Sequence, residues 1–190
     1  MKRLYIMRHC EPKPGHPMDG TRPLTSEGRR QASEAARWLK GYVGRVDICI
    51  SSPFARALQT AEIVAPELGC HIVTTRMIEP DVKIQEMWDD IVRLAAMAQD
   101  VLVVGHDPSI NNLLGWLCGW RPETIFDPPL KDWAPKYTGI RFAHGAVAHL
   151  KMMGDKDARL HWLITVPIVE KDEAVAEVEE AARALAETLL

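Results

Sequence analysis

The sequence predicts a three-layer α/β sandwich with a mostly parallel central sheet and a C-terminal antiparallel hairpin. Three observations lead there. Short apolar runs alternate four times with amphipathic helical stretches, the rhythm of βα units. The run Val101-Leu102-Val103-Val104 is apolar at every position, as a central strand covered on both faces must be. Two later stretches of strand composition, Phe142–Met152 and Leu160–Val166, flank the turn residues Gly154-Asp155-Lys156-Asp157 and read as a hairpin.

The elements follow in order. Leu4–Met7 is a buried strand that stops at Arg8-His9, and the proline-rich segment Glu11–Pro17 after it can be neither helix nor interior strand. A helix starts at Thr25 or Ser26. With Thr25 as cap, Gly28 occupies N3; with Ser26 as cap, Arg29 does. Ala32, Ala35, Ala36 and Leu39 form its apolar stripe, which ends near Gly41. Asp47–Ile50 is the second strand. Ser51-Ser52-Pro53 then opens a helix with Phe54, Ala57, Leu58, Ala61 and Val64 on its apolar face and Arg56 in its first turn. His71–Thr75 is the third strand, Arg76–Gln85 an acid-rich loop, and Met87, Ile91, Leu94, Ala95 and Ala98 mark a third helix. The Val101–Val104 strand ends in Gly105-His106-Asp107-Pro108, and a helix runs from about Ser109 to Cys118. Trp120–Tyr137, rich in proline, reads as a long surface excursion, a substrate lid or rim. Glu170–Leu190 is an amphipathic helix with Ala174, Val178, Ala181, Leu185 and Leu189 on one face, expected as an outer packing element.

The 190 residues suit a single domain, 1–190. A net charge of −3 gives no bulk attraction to nucleic acid, so an anion site must be local. No apolar run reaches the roughly 20 residues of a membrane-spanning helix, and the chain runs straight into a strand with no leader pattern. Cys10, Cys49, Cys70 and Cys118 are widely spaced, and the seven histidines lack metal-ligand spacing. The expectation is a cytoplasmic protein with reduced thiols, no metal and no cofactor.

Two buried strands end in histidine, His9 and His106, and a third strand–helix junction delivers Arg56. Parallel strands place their C-terminal ends on one edge, where open α/β sheets bind ligands. Arg8, His9, Arg56 and His106 can therefore converge. Two guanidiniums grip phosphoryl oxygens, and helix N-termini after Ser52 and Pro108 add oriented N–H groups. One imidazole can attack phosphorus while the other donates to the transferring group.

The segments Met7-Arg8-His9, Arg22-Pro23-Leu24-Thr25-Ser26-Glu27-Gly28, Ser52–Ala61 and Val104-Gly105-His106-Asp107-Pro108 resemble the histidine phosphatase superfamily, which includes the phosphoglycerate mutases. The short chain, with Phe142–Val147 and Trp162–Thr165, is most similar to the small bacterial phosphohistidine phosphatases. The resemblance spans residues 3 to 166 and implies a role at each matching position. His9 is the nucleophile and forms a phosphohistidine intermediate, Arg8 and Arg56 clamp the phosphoryl group, and His106 stabilises the transition state. His9 must then be unprotonated on its attacking nitrogen, with the other nitrogen donating to a carbonyl or an acid. The family's general acid falls on Glu79, with Asp19 and Asp81 as alternatives. Cys10 stands where the family usually has glycine. It is either a small buried thiol or, beside a positive phosphate site, one of lowered pKa. His16, His71, His144, His149 and His161 receive no role. The implied partner is a phosphorylated protein carrying phosphohistidine, or a small phosphorylated substrate, with no nucleic acid or membrane. The alternatives to a protein phosphohistidine phosphatase are a small-molecule phosphomonoesterase and a phosphate-binding relative without turnover.

Overall fold

Strand β1, Arg3–Arg8, lies near the middle of a six-stranded sheet and sets the register of its neighbours. The computed structural model describes residues 1–119 and 142–165; the expected 120–137 excursion and 170–190 helix lie outside these. In chain order the elements are β1, α1 (Ser26–Val43), β2 (Ile48–Ser51), α2 (Ala55–Glu67), β3 (His71–Thr74), a 3₁₀ turn (Arg76–Ile78), α3 (Ile84–Leu94), β4 (Asp100–Gly105), α4 (Ser109–Leu117), β5 (Val147–Gly154) and β6 (Asp157–Ile164). The sheet order is β3-β2-β4-β1-β5-β6. β1 to β4 are mutually parallel where they pair, and β5 and β6 add an antiparallel hairpin to the β1 edge. The α/β class and the C-terminal hairpin are as the sequence predicts.

Period-2 alternation sends successive side chains to opposite faces. Leu4 and Ile6 join Ile50, Val101 and Val103 in the core under α3 and α4, with Trp88, Ile91, Leu113 and Leu117. Tyr5 and Met7 join Cys49, Leu102 and Val104 under α1 and α2, with Ala35, Leu39, Ala61 and Val64. Both faces are thus covered, which is why the central strands tolerate no polar residue.

The register positions the site. Arg8 pairs with Gly105 and Met7 with Val104, so β1 and β4 end flush. Ser51 pairs with Val104, and the Ser52 N–H continues the ladder to the Val104 carbonyl at 3.1 Å. His9, Ser52 and His106 therefore leave the sheet side by side at one edge.

Thr25 rather than Ser26 caps α1: its Oγ1 accepts from the Gly28 N–H at 2.9 Å. Several boundaries differ from the sequence reading: β6 begins at Asp157, not Leu160, and α3 ends at Leu94, short of Ala98. α2 starts at Ala55, not at Ser52-Pro53, because Ser52 stays hydrogen-bonded to β4 and Phe54 is still extended. The loop after β3 contains the 3₁₀ turn, capped by Thr75 Oγ1, and its Ile78 is fully buried; α3 then begins at Ile84. β5 begins at Val147 because Phe142–Ala146 is a turn, closed by a 3.1 Å bond from the Ala146 N–H to the Ala143 carbonyl. All four cysteines are free. No helix among the described residues is long and apolar enough to cross a membrane.

Candidate active site

His9 follows β1 and is 5% exposed. Its Nδ1 lies 2.7 Å from the Cys10 carbonyl, an acceptor only, so Nδ1 carries the proton and donates. The lone pair is therefore on Nε2, where it accepts from Arg56 Nε at 3.2 Å. Burial holds the His9 pKa well below the usual imidazole value against the pull of the Cys10 carbonyl, and His106, Arg56 and Arg8 push it further down. These effects favour the neutral form of the His9 ring.

The loop after His9 is locked by α1 and α2. The Cys10 N–H donates to Thr60 Oγ1 at 3.1 Å, and Thr60 Oγ1 in turn donates to the Arg56 carbonyl at 2.7 Å. The Glu11 N–H donates to Gln31 Oε1 at 3.1 Å, and the Glu11 carbonyl accepts from the Thr25 N–H at 3.0 Å. Gly28 sits beneath that carbonyl: a Cβ there would lie 2.1 Å from the Glu11 oxygen. The glycine of the Thr25–Gly28 segment is thus required by backbone approach, not by capping. Gly105 is required in the same way, because a Cβ would meet Ile110 at 2.6 Å and Ile78 at 2.8 Å.

Arg56, in the first turn of α2, is 3% exposed. Its Nη1 donates to the Asp19 carbonyl at 2.9 Å and its Nη2 to the Pro17 carbonyl at 2.7 Å. The proline-rich loop after β1 therefore aims this guanidinium. Burial lowers its pKa to about 10, so it stays charged at neutral pH. Arg8 Nη1 donates to the Phe142 carbonyl at 2.6 Å.

His106 follows β4, with its ring centroid 5.1 Å from that of His9. Its Nε2 is 2.8 Å from Ser52 Oγ, and its buried Nδ1 has no hydrogen-bond partner among the described residues. Burial, reinforced by Arg56 and Arg8, takes its pKa to about 3. Phe54 packs edge-on to the His106 ring at 5.2 Å and lies under the Arg56 guanidinium at 5.0 Å. The sequence-predicted quartet is brought together: two guanidiniums and two neutral imidazoles at one sheet edge.

The acid candidates are not gathered in this way. Asp19 contributes its backbone carbonyl to Arg56, while its carboxylate accepts from the Thr21 N–H and hydroxyl at 2.9 and 2.7 Å. Those two bonds lower the Asp19 pKa, which keeps it ionised. Glu79 follows Ile78 on the rim near Gly105, and its carboxylate lies 3.9 Å from Arg76 Nε. Asp81 is exposed. None of the three carboxylates touches the His9 or His106 ring. Among the described residues no three side chains gather as a metal site.

The structure adds three residues that the sequence reading gave no part. Ser52 and Thr60 lie inside the recognised motif but were read only as helix residues. His144 places its ring centroid 5.4 Å from that of His9. Its sole sequence signal was a histidine beside a glycine at the entry to β5. Cys10 is fully buried, and burial pushes its thiol up to about 12, which overturns the reading of an activated thiol.

Two cationic clamps and a neutral, oriented imidazole at the C-terminal edge of a parallel sheet define a phosphoryl-handling α/β protein. The description "Histidine phosphatase superfamily (branch 1)" matches residues 4–87. The phosphohistidine phosphatase SixA of Escherichia coli (strain K12) is 30% identical over 132 residues, 65% of this chain and 79% of that protein. An uncharacterized protein of Picosynechococcus sp. is 31% identical over 117 residues, 57% of this chain and 68% of that protein. Among solved structures, the protein histidine phosphatase SixA complexed with tungstate superposes with a TM-score of 0.70 at 25% identity, covering 86% of this chain and 96% of that one. The chain belongs to the histidine phosphatase superfamily.

Proposed function

We propose that this protein hydrolyses phosphoryl groups by covalent catalysis on His9, and that a protein phosphohistidine is its substrate. The observation that carries the reading is the 2.7 Å contact of His9 Nδ1 with the Cys10 carbonyl, which fixes the tautomer with the lone pair on Nε2; Arg56 Nε, which meets that lone pair at 3.2 Å, must turn to the phosphoryl oxygens as substrate binds. Arg8 and Arg56 neutralise the phosphoryl oxygens. The Nδ1–H of His106, unpartnered among the described residues, is a donor for an oxygen that gains charge in the transition state. His9 Nε2 attacks phosphorus, the leaving group departs, and water cleaves the phosphohistidine to regenerate the enzyme. Every group invoked belongs to this chain, so the reaction needs no metal. The likeness to SixA supports a phosphohistidine substrate. A departing imidazole that is protonated on its other nitrogen leaves readily, so such a substrate makes little demand on a general acid.

The test is hydrolysis of p-nitrophenyl phosphate in the presence of EDTA by wild type and His9→Ala. Wild-type turnover that the variant lacks supports the reading, and labelled phosphate trapped on His9 establishes the covalent step. Equal turnover with and without His9 would refute covalent catalysis on His9, and no turnover in either would leave a phosphate-binding relative. Release of phosphate from a phosphohistidine carrier domain at a rate well above that from sugar phosphates supports the protein substrate; the reverse order supports a small phosphomonoester.

A further inference from the structure

One titratable side chain faces the nucleophile without a part in the scheme above. His144 sits on the Phe142–Ala146 turn, and that turn is tied to the site's own strand. Arg8 Nη1 donates to the Phe142 carbonyl at 2.6 Å, the Arg8 N–H to the Ala146 carbonyl at 3.0 Å, and the Gly145 N–H to the His9 carbonyl at 3.2 Å. The backbone of this turn is therefore placed relative to His9 as firmly as a paired strand. The His144 ring lies 5.4 Å from the His9 ring, the planes inclined by 33°. His9 and His106 are buried, whereas His144 is half-buried and borders solvent. Neither nitrogen of the His144 ring is hydrogen-bonded to a described residue.

A phosphomonoester of an ordinary alcohol cannot lose its alkoxide at neutral pH without a proton. The carboxylates considered for this task face elsewhere: Asp19 to Thr21, Glu79 to Arg76, Asp81 to solvent. Apart from His106, the His144 imidazole is the described titratable ring beside His9. We propose that His144 is the leaving-group proton donor of this site, and that it extends the substrate range to alkyl phosphomonoesters. The proposal rests on His9 being the nucleophile.

The step balances simply. His9 Nε2 forms a bond to phosphorus as the ester P–O bond breaks. The imidazolium of His144 passes its proton to the departing oxygen and becomes neutral. Water then attacks phosphorus, gives a proton to His144, and the P–N bond breaks to release phosphate and neutral His9. Four charged groups act on His144 electrostatically: Arg8 from β1, Glu11 from the loop after it, Arg22 from the loop before α1, and Arg56 from α2. Burial, then Arg8, lowers its pKa to about 4, with Glu11 opposing and Arg22 and Arg56 adding to the shift. An arriving phosphoryl dianion offsets the charge of those guanidiniums and raises the ring's affinity for a proton.

The test compares p-nitrophenyl phosphate, whose leaving group needs no proton, with glycerol 2-phosphate, whose leaving group does. His144→Gln and His144→Ala are expected to lose about 100-fold in kcat on glycerol 2-phosphate, at least tenfold more than on p-nitrophenyl phosphate. They should also lose the alkaline limb of the wild-type kcat profile on the alkyl ester. Retained vanadate binding shows that the variants are folded. Equal losses on both esters, a wild type inactive on the alkyl ester, or the leaving-group-dependent loss appearing in Glu79→Gln instead would overturn the assignment. None of these results touches His9, whose own failure has a different signature: turnover of the aryl ester by His9→Ala.

Discussion

Ser52 Oγ lies 2.8 Å from His106 Nε2 and accepts from the Phe54 N–H at 3.3 Å. The Ser52 hydroxyl can give its proton to the imidazole while its oxygen accepts from that N–H. His106 Nε2 is then the acceptor, and its proton resides on Nδ1, the nitrogen without a described partner. Ser52 thereby selects the tautomer that points a donor into the site.

Replacing Ser52 with alanine removes that selection without touching the phosphoryl group. We expect Ser52→Ala to lower kcat about tenfold, the scale of one hydrogen bond, with vanadate affinity falling in parallel. ¹⁵N shifts of the His106 ring should change from a single Nδ1–H tautomer to a mixture. An unaltered tautomer would refute this role.

Cys10 is fully buried, and its own N–H is held by Thr60. Its thiol is pushed up to about 12 by burial, so almost no thiolate exists at pH 8. Native protein should therefore keep its activity through peroxide treatment, and iodoacetamide should label Cys10 only after unfolding. Peptide mapping with and without denaturant checks this. Cys10→Gly should keep turnover within about threefold, because the site uses the residue's backbone rather than its side chain; a larger loss would show that the thiol matters to catalysis.

Much of this was legible in the sequence. The apolar run Val101–Val104 required a strand covered on both faces, and strand ends carrying His9 and His106 required a common edge. Contacts that depend on three dimensions were not legible. The proline-rich loop reads as mere irregular chain, yet its Pro17 and Asp19 carbonyls orient Arg56. His144 looked like a residue within a strand because Phe142–Met152 has strand composition throughout. Only the hydrogen bonds from Arg8 and Gly145 reveal a turn there. Sequence alone does not show which way a loop carboxylate such as Glu79 or Asp19 faces.

His149 stacks on Tyr5 at 4.7 Å and is 8% exposed, with neither ring nitrogen hydrogen-bonded to a described residue. Burial first, then His161 and Arg3 against Asp100, lowers its pKa to about 4. The unfolded chain takes up this proton below about pH 6.5 and the folded chain does not. Stability is therefore full above that value and declines as pH falls toward 4, by up to about 1.4 kcal/mol per pH unit. His9 and His106 act in the same direction. His149→Phe keeps the stacking and removes two unpaired polar atoms. It should be neutral or stabilising by about 1 kcal/mol at pH 8 and more stabilising at pH 5. Urea unfolding at the two pH values decides, and an equal effect at both would show that His149 does not titrate this way.

Two glycines of one helix should respond with opposite signs to the same substitution. Gly41 of α1 has nothing within 4 Å of a Cβ, so Gly41→Ala should stabilise by up to about 1 kcal/mol through helix propensity alone. Gly28 of the same helix faces the Glu11 carbonyl at 2.1 Å from a Cβ position. That obstacle is backbone, fixed by Thr25 and Gln31, and cannot rotate aside. Gly28→Ala should therefore cost more than about 2 kcal/mol, against its propensity. The displacement passes through Cys10, whose carbonyl holds His9 Nδ1. Activity should fall at least tenfold at temperatures where the variant remains folded, because the nucleophile's tautomer and aim depend on that carbonyl. Thermal melts and p-nitrophenyl phosphate rates on the two variants measure both effects. A Gly28→Ala protein as stable and active as Gly41→Ala would show that α1 does not hold the loop behind His9.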